Sequence, residues 1–240
     1  MDAGNAHVRL DTVRVPAFTA VPGLVHGFER RKPSAPSESR EETRRRVAAA
    51  LREQGRLLSL QQVHGALVAE APFEGTPTAD AALATAAGLI LGIETADCLP
   101  VLLVDPGRRF VAAAHAGWRG TAAGVAGRAV GALVAHGSRP QDLLAALGPG
   151  IGPCCYEVGD ELRDAFGPEG AAFFRPGPRE RSHLDVRAAN RVALERAGIP
   201  RERIHSVDEC TSCRGDLYYS YRRDGANAGR MISFVGFAAA

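Results

Sequence analysis

Two histidines and one cysteine stand in segments whose composition suits a reactive site. His64 lies in the segment QQVHG, beside a glycine that leaves the backbone accessible. Cys98 follows an acid in TADCLP, and His115 ends an apolar run just before the turn AGWRG. Imidazole nitrogen and thiolate sulfur are both ligands that zinc accepts. Three such ligands leave a fourth position for water, which is typical of catalytic rather than structural zinc.

Two other interpretations of the same three residues stay open at this point. The separations between positions 64, 98 and 115 match no local zinc pattern, so the side chains could be two hydrogen-bonded core histidines and a buried thiol. Alternatively, Cys98 is a thiolate nucleophile and His115 or His64 its base. Such an enzyme would act on an amide, for example in editing peptidoglycan precursors.

The other cysteines form two short clusters. CTSC at 210–213 is the only C-x-x-C, and one such pair is half of a zinc ribbon at most. It does not open a helix after a strand, so incidental thiols are favoured over a redox pair. Cys154 and Cys155 lie in the loop GPGIGPCCYE, whose backbone amides suit an anion. Pro149 and Pro153 remove donors from that loop, so a structural turn is an equal alternative.

Composition restricts the class of protein. The chain has 240 residues, 45% hydrophobic and 23% charged, with a formal net charge of +2 and five cysteines. These values exclude a disordered chain and give no basic surface for nucleic acid. No apolar run is long enough for a membrane helix, and an odd cysteine number without a secretory signal predicts a cytoplasmic protein. A chain of this size buries a sufficient core alone, and we expect a monomer.

The elements that must position these residues can be read from caps and apolar runs. Ser39 and Glu42 form a capping-box pattern that predicts a helix to about residue 54. Thr121 and Asp185 are further caps. The other predicted helices cover 121–135, 158–166 and 186–197. Short apolar runs predict strands at 89–94, 99–105, 110–115, 143–147, 204–207 and 231–235. Strands and helices interleave without a regular βαβ order, which favours an α+β domain with a mixed sheet.

A cluster of aromatic and basic residues follows the C-x-x-C. The run from Tyr218 to Gly225 places Arg222 and Arg223 beside three tyrosines. Guanidinium groups suit phosphate or carboxylate, and aromatic rings suit stacking on a base. An exposed hairpin with charges at its tip is an equal alternative.

Five segments together resemble one protein family. QVHG, TADCLPVLL, AAHAGWRG, GPGIGPCCYEVGDE and SYRRDG with a following GRM are similar to the YfiH family, also called the laccase-domain or multicopper polyphenol oxidase family. The resemblance runs from His64 to the end. It implies a single-domain α/β/β/α sandwich related to cysteine hydrolases, covering 1–240 with a variable part at 1–38. In that part a loop is shorter than the family pattern, which leaves open the substrate contacts that this region supplies.

The resemblance also implies an activity and a ligand set. It implies one zinc per chain, held by His64, Cys98 and His115. The implied reactions are phosphorolysis of adenosine, inosine, guanosine and methylthioadenosine, and hydrolytic deamination of adenosine. The substrates would be a purine nucleoside and inorganic phosphate. Multicopper oxidases need repeated His-x-His pairs, and the sequence has none, so copper and laccase activity are disfavoured.

Five further residues are candidates for proton transfer or for contacts with the substrate. Asp97 is the nearest acid to Cys98 in sequence and would act as a proton shuttle, or else hold a turn. Arg119 follows His115 by four residues and, with Arg222 or Arg223, would bind phosphate. Gln62 is a candidate substrate contact. Cys98 and His115 complete the predicted catalytic set.

Overall fold

Two large β-sheets form the centre of the protein. The computed structural model describes residues 9–31, 38–177 and 181–239. Its strands are β1 (Thr12–Val13), β2 (Leu24–Glu29), β3 (Arg56–Ser59), β4 (Val68–Glu70), β5 (Ala81–Ala84), β6 (Leu89–Thr95), β7 (Leu99–Asp105), β8 (Phe110–Ala116), β9 (Leu144–Leu147), β10 (Glu157–Val158), β11 (Phe174–Pro176), β12 (Ser182–Leu184), β13 (Ile204–Ser206) and β14 (Met231–Phe237). Its helices are α1 (Pro16–Thr19), α2 (Arg40–Leu51), α3 (Trp118–Ala122), α4 (Val125–Ala135), α5 (Glu161–Ala165), α6 (Val186–Arg196) and α7 (Tyr221–Asp224).

The first sheet has five strands in the order β1-β2-β14-β6-β3. β14 occupies its centre and pairs antiparallel with both β2 and β6. The paired residues are far apart in sequence: Val235 of β14 pairs with His26 of β2 on one side and with Leu91 of β6 on the other. The sheet is therefore completed by a strand that comes late in the chain.

The second sheet has six strands in the order β13-β9-β7-β8-β5-β4. β7 is buried along its whole length, and its side chains alternate between two cores. Leu102 and Val104 pack between the sheets, whereas Val101 and Leu103 pack on the outer face with α4 and α6. Because both faces are covered, the strand has the continuous apolar run that the sequence shows.

Helices cover the outer face of each sheet. Val47 and Leu51 of α2 pack on Ile90, Ile232 and Phe234 of the five-stranded sheet. With α4 and α6 on the other side, the layers are helix, sheet, sheet and helix. The predicted α+β class with an α/β/β/α sandwich is therefore confirmed. The assignment of the whole range 1–240 to one domain stays a prediction.

The capped helices and apolar strands lie close to where the sequence predicts them. Ser39 and Glu42 form a complete capping box at α2, and Asp185 accepts a hydrogen bond from the Ala188 amide at α6. The six predicted strands are β6, β7, β8, β9, β13 and β14, each within two residues at either end.

Two predicted helices are wrong. The helix expected from Thr121 to residue 135 begins at Trp118 and is broken at Gly124, whose φ of 78° is left-handed and starts α4 anew. Residues 158–166 are not one helix, because Glu157 and Val158 pair with β12 and α5 begins only at Glu161.

The hairpin alternative at 218–225 is also wrong. Ser220 caps the short helix α7, and its side chain accepts a hydrogen bond from the Arg223 amide. The cap explains the difference, because a serine before a polar run favours a helix start over a turn.

Across the described ranges, none of the helices combines the length and apolar character that crossing a membrane requires.

Candidate metal centre and its pocket

One buried carboxylate positions the loop that carries His64. The two oxygens of Asp80 accept hydrogen bonds from the backbone amides of Val63 (3.2 Å), His64 (2.9 Å) and Gly65 (2.6 Å). Asp80 is completely buried, and His64 has a left-handed φ of 63°. Three hydrogen bonds from neighbouring amides offset the cost of that backbone conformation and fix the direction of the loop.

The same carboxylate orients His115. Its Oδ1 lies 2.8 Å from Nδ1 of His115, and the backbone carbonyl of Asp80 accepts from the His115 amide at 2.7 Å. The hydrogen bond to Nδ1 leaves the other ring nitrogen of His115 as the one that can bind a metal. A carboxylate on the far nitrogen of a histidine is the usual partner of a metal-binding imidazole.

Cys98 is brought to the histidines by the pairing of β7 with β8. Pro100 of β7 lies opposite His115 of β8, so the residue just before β7 meets the end of β8. The rings of His64 and His115 are 4.8 Å apart, edge to face. One ligand atom from each of the three residues lies within 4.8 Å of the others. We call His64, Cys98 and His115 the His-Cys-His centre.

A glycine is required beside this centre. A Cβ at Gly117 would lie 3.0 Å from the sulfur of Cys98 and 3.0 Å from Cδ2 of His64. Such contacts are too close for an ordinary side chain, so the turn after β8 can approach the centre only because residue 117 has none.

Charges within the centre favour a thiolate. Burial raises the pKa of the Cys98 thiol, but hydrogen bonds with His115 and His64 outweigh burial and lower the pKa to about 6. Burial lowers the pKa of His115, but its bonds with Asp80 and Cys98 raise the pKa to about 9. Near neutral pH, Cys98 is therefore a thiolate beside a charged imidazole. A thiolate is both a zinc ligand and a nucleophile.

The centre opens into a pocket of about 420 Å³. That volume is in the range of small-molecule sites. Trp118, Tyr156 and Tyr221 contribute aromatic surface to its walls, and Arg119 and Arg222 contribute positive charge. The arrangement suits a ligand with a planar ring and an anionic part.

Of the predicted substrate residues, Gln62 and Asp97 line the pocket with their polar atoms already engaged. The Gln62 amide exchanges two hydrogen bonds of 2.8 Å with the backbone of Glu94. Asp97 has a left-handed φ of 90° and accepts from the Thr211 hydroxyl and from the Arg222 amide, both at 2.6 Å. Both side chains therefore hold the walls of the pocket, and the role of Asp97 in proton transfer stays a prediction.

The three predicted arginines differ in position. The guanidinium of Arg119 lies 4.3 Å from the centre of the Trp118 ring, at the exposed start of α3. Arg222 donates to the carbonyl oxygens of Cys155 (3.3 Å) and Glu157 (2.9 Å). The structure does not bring Arg223 to the pocket. Its guanidinium instead binds backbone carbonyls of the 211–218 segment and the Asp224 carboxylate.

Sequence reasoning missed two acids. Asp80 follows Thr-Ala and precedes the fully buried strand β5, and an acid directly before an apolar strand was the available signal. Glu94 is buried at the pocket, where it pairs with Arg44 and lies 3.8 Å from Arg40. Oε2 of Glu94 has no hydrogen-bond partner among the described residues. Glu94 is the one charged residue of β6, whose sequence is LILGIET, and an acid in an otherwise apolar buried strand was the available signal.

The pocket also has two unpredicted arginines, Arg40 and Arg230. Burial lowers the pKa of Arg230, and the charge of Arg40 lowers it further. Charges on Glu94, Cys98 and Asp97 raise it, so anionic groups of the protein itself already act on this pair of cations.

Known proteins share this sequence and fold. A family model described as multi-copper polyphenol oxidoreductase laccase matches residues 34–238. "Purine nucleoside phosphorylase YlmD" of Geobacillus stearothermophilus is 38% identical over 197 residues, which cover 75% of this chain and 72% of that protein. "Adenosine deaminase RL5", from an unknown prokaryotic organism, is 38% identical over 172 residues, covering 69% and 64%.

The likeness extends to three dimensions. The crystal structure of YlmD from Geobacillus stearothermophilus superposes with a TM-score of 0.83 and 32% identity, covering 94% of each chain. The family model spans most of the sequence, and the YlmD structure shows the same fold along almost the whole chain. The chain therefore belongs to the family described as multi-copper polyphenol oxidoreductase laccase, which is the family that the five sequence motifs indicated.

Proposed function

We propose that this protein is a zinc-dependent purine nucleoside phosphorylase that also deaminates adenosine. The observation that carries the proposal is the His-Cys-His centre at the base of a pocket with aromatic and cationic walls. The names of two relatives, purine nucleoside phosphorylase and adenosine deaminase, support the same pair of reactions.

The residues fit a zinc ion. Two imidazoles and a thiolate are a ligand set that zinc accepts, and three protein ligands leave one position open. Asp80 holds His115 by Nδ1, which selects the ring nitrogen that faces a metal. Zinc bound there would supply a Lewis acid to the reacting group.

The arginines supply the phosphate site. In phosphorolysis, phosphate attacks C1′ of the ribose while the bond to the purine breaks. Arg119 and Arg222 reach the pocket and can bind a phosphate through paired N–H groups. Arg222 is partly committed to two carbonyl oxygens, whereas Arg119 contacts mainly the Trp118 ring. We therefore assign the main phosphate contact to Arg119.

The purine and ribose need an apolar wall and an acceptor. Trp118, Tyr156 and Tyr221 offer ring surfaces on which a purine can stack. Oε2 of Glu94 is a buried acceptor without a hydrogen-bond partner among the described residues, and a ribose hydroxyl or a purine N–H would satisfy it. Two hydrogen bonds with the Gln62 side chain fix the backbone of Glu94.

Asp97 is the proposed proton carrier. Its carboxylate lies next to Cys98 in sequence and lines the pocket. The hydrogen bonds from the Thr211 hydroxyl and the Arg222 amide hold the carboxylate at the pocket wall, from which it would accept a proton. In deamination that proton would pass to the departing ammonia.

One observation favours a second candidate function. Cys98, His115 and Asp80 are linked as thiolate, imidazole and carboxylate, which is also the arrangement of a cysteine hydrolase. An amidase of this kind would keep its activity after complete removal of zinc, because a free thiolate is the better nucleophile. Activity that is lost on chelation and restored by zinc supports the phosphorylase.

The test is a product analysis with and without phosphate. Inosine and adenosine are incubated with the purified protein, and bases, nucleosides and ammonia are separated and measured. We expect base release only with phosphate, and ammonia from adenosine in both conditions. Equal base release without phosphate would make the protein a hydrolase. No product from either nucleoside would leave the amidase as the better candidate.

A further inference from the structure

The four remaining cysteines form a second cluster away from the His-Cys-His centre. Their sulfur atoms all lie within 4.8 Å of one another, although the two pairs are more than 50 residues apart in sequence. We call them the four-cysteine cluster: Cys154, Cys155, Cys210 and Cys213. All four are free thiols. The sequence offers only one C-x-x-C, and the fold supplies the second pair from the adjacent cysteines of another loop.

The sulfur separations match one central ion better than two disulfides. Four sulfurs at about 2.3 Å from a tetrahedral zinc lie roughly 3.8 Å from one another. Cys213 is 3.3 Å from the sulfur of Cys155 and 3.6 Å from that of Cys154. One sulfur is thus equally close to two others, whereas a disulfide joins one pair at about 2.05 Å.

The backbone around the cluster is arranged as in thiolate metal sites. The Arg214 amide donates to the Cys210 carbonyl and closes a tight turn over the C-x-x-C. Gly152 of the other loop donates its amide to the sulfur of Cys210 at 3.2 Å. Gly150 and Cys210 form a bridge between the two loops. An amide directed at a sulfur stabilises the thiolate form, which is the form that binds metal.

Positive charge lies next to both loops. Arg223 donates to the carbonyls of Thr211 and Ser212, and Arg222 donates to that of Cys155. A zinc ion with four thiolates has a net charge of −2, and guanidinium groups bound to the same loops would offset part of it. Arg223, which the structure does not bring to the pocket, thus binds the loop that carries Cys210 and Cys213.

We propose that the four-cysteine cluster binds a second, structural zinc ion. Zn²⁺ displaces the four thiol protons and forms four zinc–sulfur bonds. The ion then has no open coordination position for water or substrate, so its role is structural rather than catalytic. Zinc is favoured over copper or iron because a structural role requires no redox chemistry, and four thiolates are a common ligand set of structural zinc.

The site would join two walls of the pocket. One loop continues to Tyr156, which lines the pocket. The other contains Thr211, which donates to Asp97, and is held by Arg223 of α7. A metal at this point therefore fixes the wall that carries Arg222 without contacting a substrate. The proposal does not depend on the reaction that the pocket performs.

Zinc counting in matched variants tests the proposal. We expect about two zinc ions per chain in the wild type, about one in Cys210→Ser, about one in Cys98→Ala, and none in the double variant. Ser212→Ala, within the same turn but not a ligand, should keep two. A wild type with one zinc that Cys98→Ala removes would overturn the second site and leave the first intact.

Two measurements keep the test decisive if Cys210→Ser does not fold. Cobalt(II) is added to metal-free Cys98→Ala protein, where four thiolates give intense sulfur-to-cobalt charge-transfer absorption. Exposed Cys213 is then replaced by serine, and we expect that absorption to fall by about a quarter or be lost. An unchanged spectrum would overturn the site.

Thiol counting separates zinc from a disulfide. The wild type, purified without reductant and denatured with a chelator, should show five reactive thiols, which is every cysteine in the sequence. A count of three or fewer would show that the cluster forms disulfides and would overturn the proposal.

Discussion

The His-Cys-His centre and the four-cysteine cluster use similar ligands in opposite settings. The first takes its ligands from the ends of β7 and β8 and from a loop held by a completely buried Asp80. The second takes its ligands from two surface loops, and two of its cysteines are exposed. The first opens into a pocket and has three ligands, whereas the second has four. The number of ligands and the rigidity of their support separate a centre for chemistry from a centre for structure.

Loss of Cys98 should have the largest effect. Cys98→Ala removes one ligand and the only sulfur of the His-Cys-His centre, and we expect phosphorolysis to fall at least about 1000-fold, because a Lewis acid contributes several kcal/mol. The variant should still fold, since the ligand serves the site more than the core. Activity assays with zinc analysis check this. A Cys98→Ala protein with full zinc at this centre would contradict the assignment.

Loss of Cys210 should act on stability instead. Zinc at about 100 times its dissociation constant stabilises the folded state by about 2.7 kcal/mol. For a protein of this size Cys210→Ser should then lower the melting temperature by roughly 5–10 °C. Calorimetry of wild type, Cys210→Ser and Ser212→Ala gives the comparison. Equal melting temperatures in all three proteins would contradict a stabilising role for the four-cysteine cluster.

Asp80→Asn tests the support of the first centre. Asparagine keeps the size of the side chain but replaces one acceptor oxygen by an NH2 donor, so it cannot accept all the hydrogen bonds that Asp80 receives from the loop amides and from His115. We expect zinc affinity at the His-Cys-His centre to fall about 10- to 100-fold. Asp105→Asn is the matched control, because Asp105 is also a buried acid that accepts from a backbone amide, at the other end of β7. Competition with a zinc indicator measures both. Equal losses in the two variants would point to general destabilisation.

Arg119→Lys should have the smallest effect and the most selective one. The charge is kept but the paired N–H geometry is lost, so phosphorolysis should fall by roughly tenfold. Deamination uses no phosphate and should change less. Parallel assays of both reactions on one preparation show the ratio. If both fall equally with zinc unchanged, Arg119 positions the nucleoside, and Arg222 becomes the better candidate for phosphate.

The sequence predicts what is local and misses what depends on distant contacts. Ser39 and Asp185 cap their helices as expected, because a cap needs only the next three residues. The His-Cys-His centre was recognisable because its segments resemble known motifs. Asp80 was missed, since its importance comes from three amides and an imidazole in other segments.

The four-cysteine cluster shows the same limit more clearly. Cys154 and Cys210 belong to different loops, and their meeting depends on β9 and β13 lying side by side. In the sequence, each pair of cysteines supplies only two of the four ligands of a structural zinc site. Likewise Arg223 sits beside Arg222 in sequence, yet the direction of α7 sends the two side chains to different sites. Successive side chains on a helix point in different directions, so residues that are adjacent in sequence can belong to different sites.

The central place of β14 has a consequence for synthesis on the ribosome. β2 and β6 are not neighbours in the five-stranded sheet, because β14 lies between them and pairs with both. Until residues 231–237 have left the exit tunnel, two strands carry unpaired edges and Phe234 and Val235 are absent from the cores they complete. Unpaired edges of this kind are where nascent chains associate with one another. The last strand of the six-stranded sheet in sequence, β13, ends at Ser206, so this sheet can form earlier during synthesis. We therefore expect the exposed edges of the two sheets to be covered at different times.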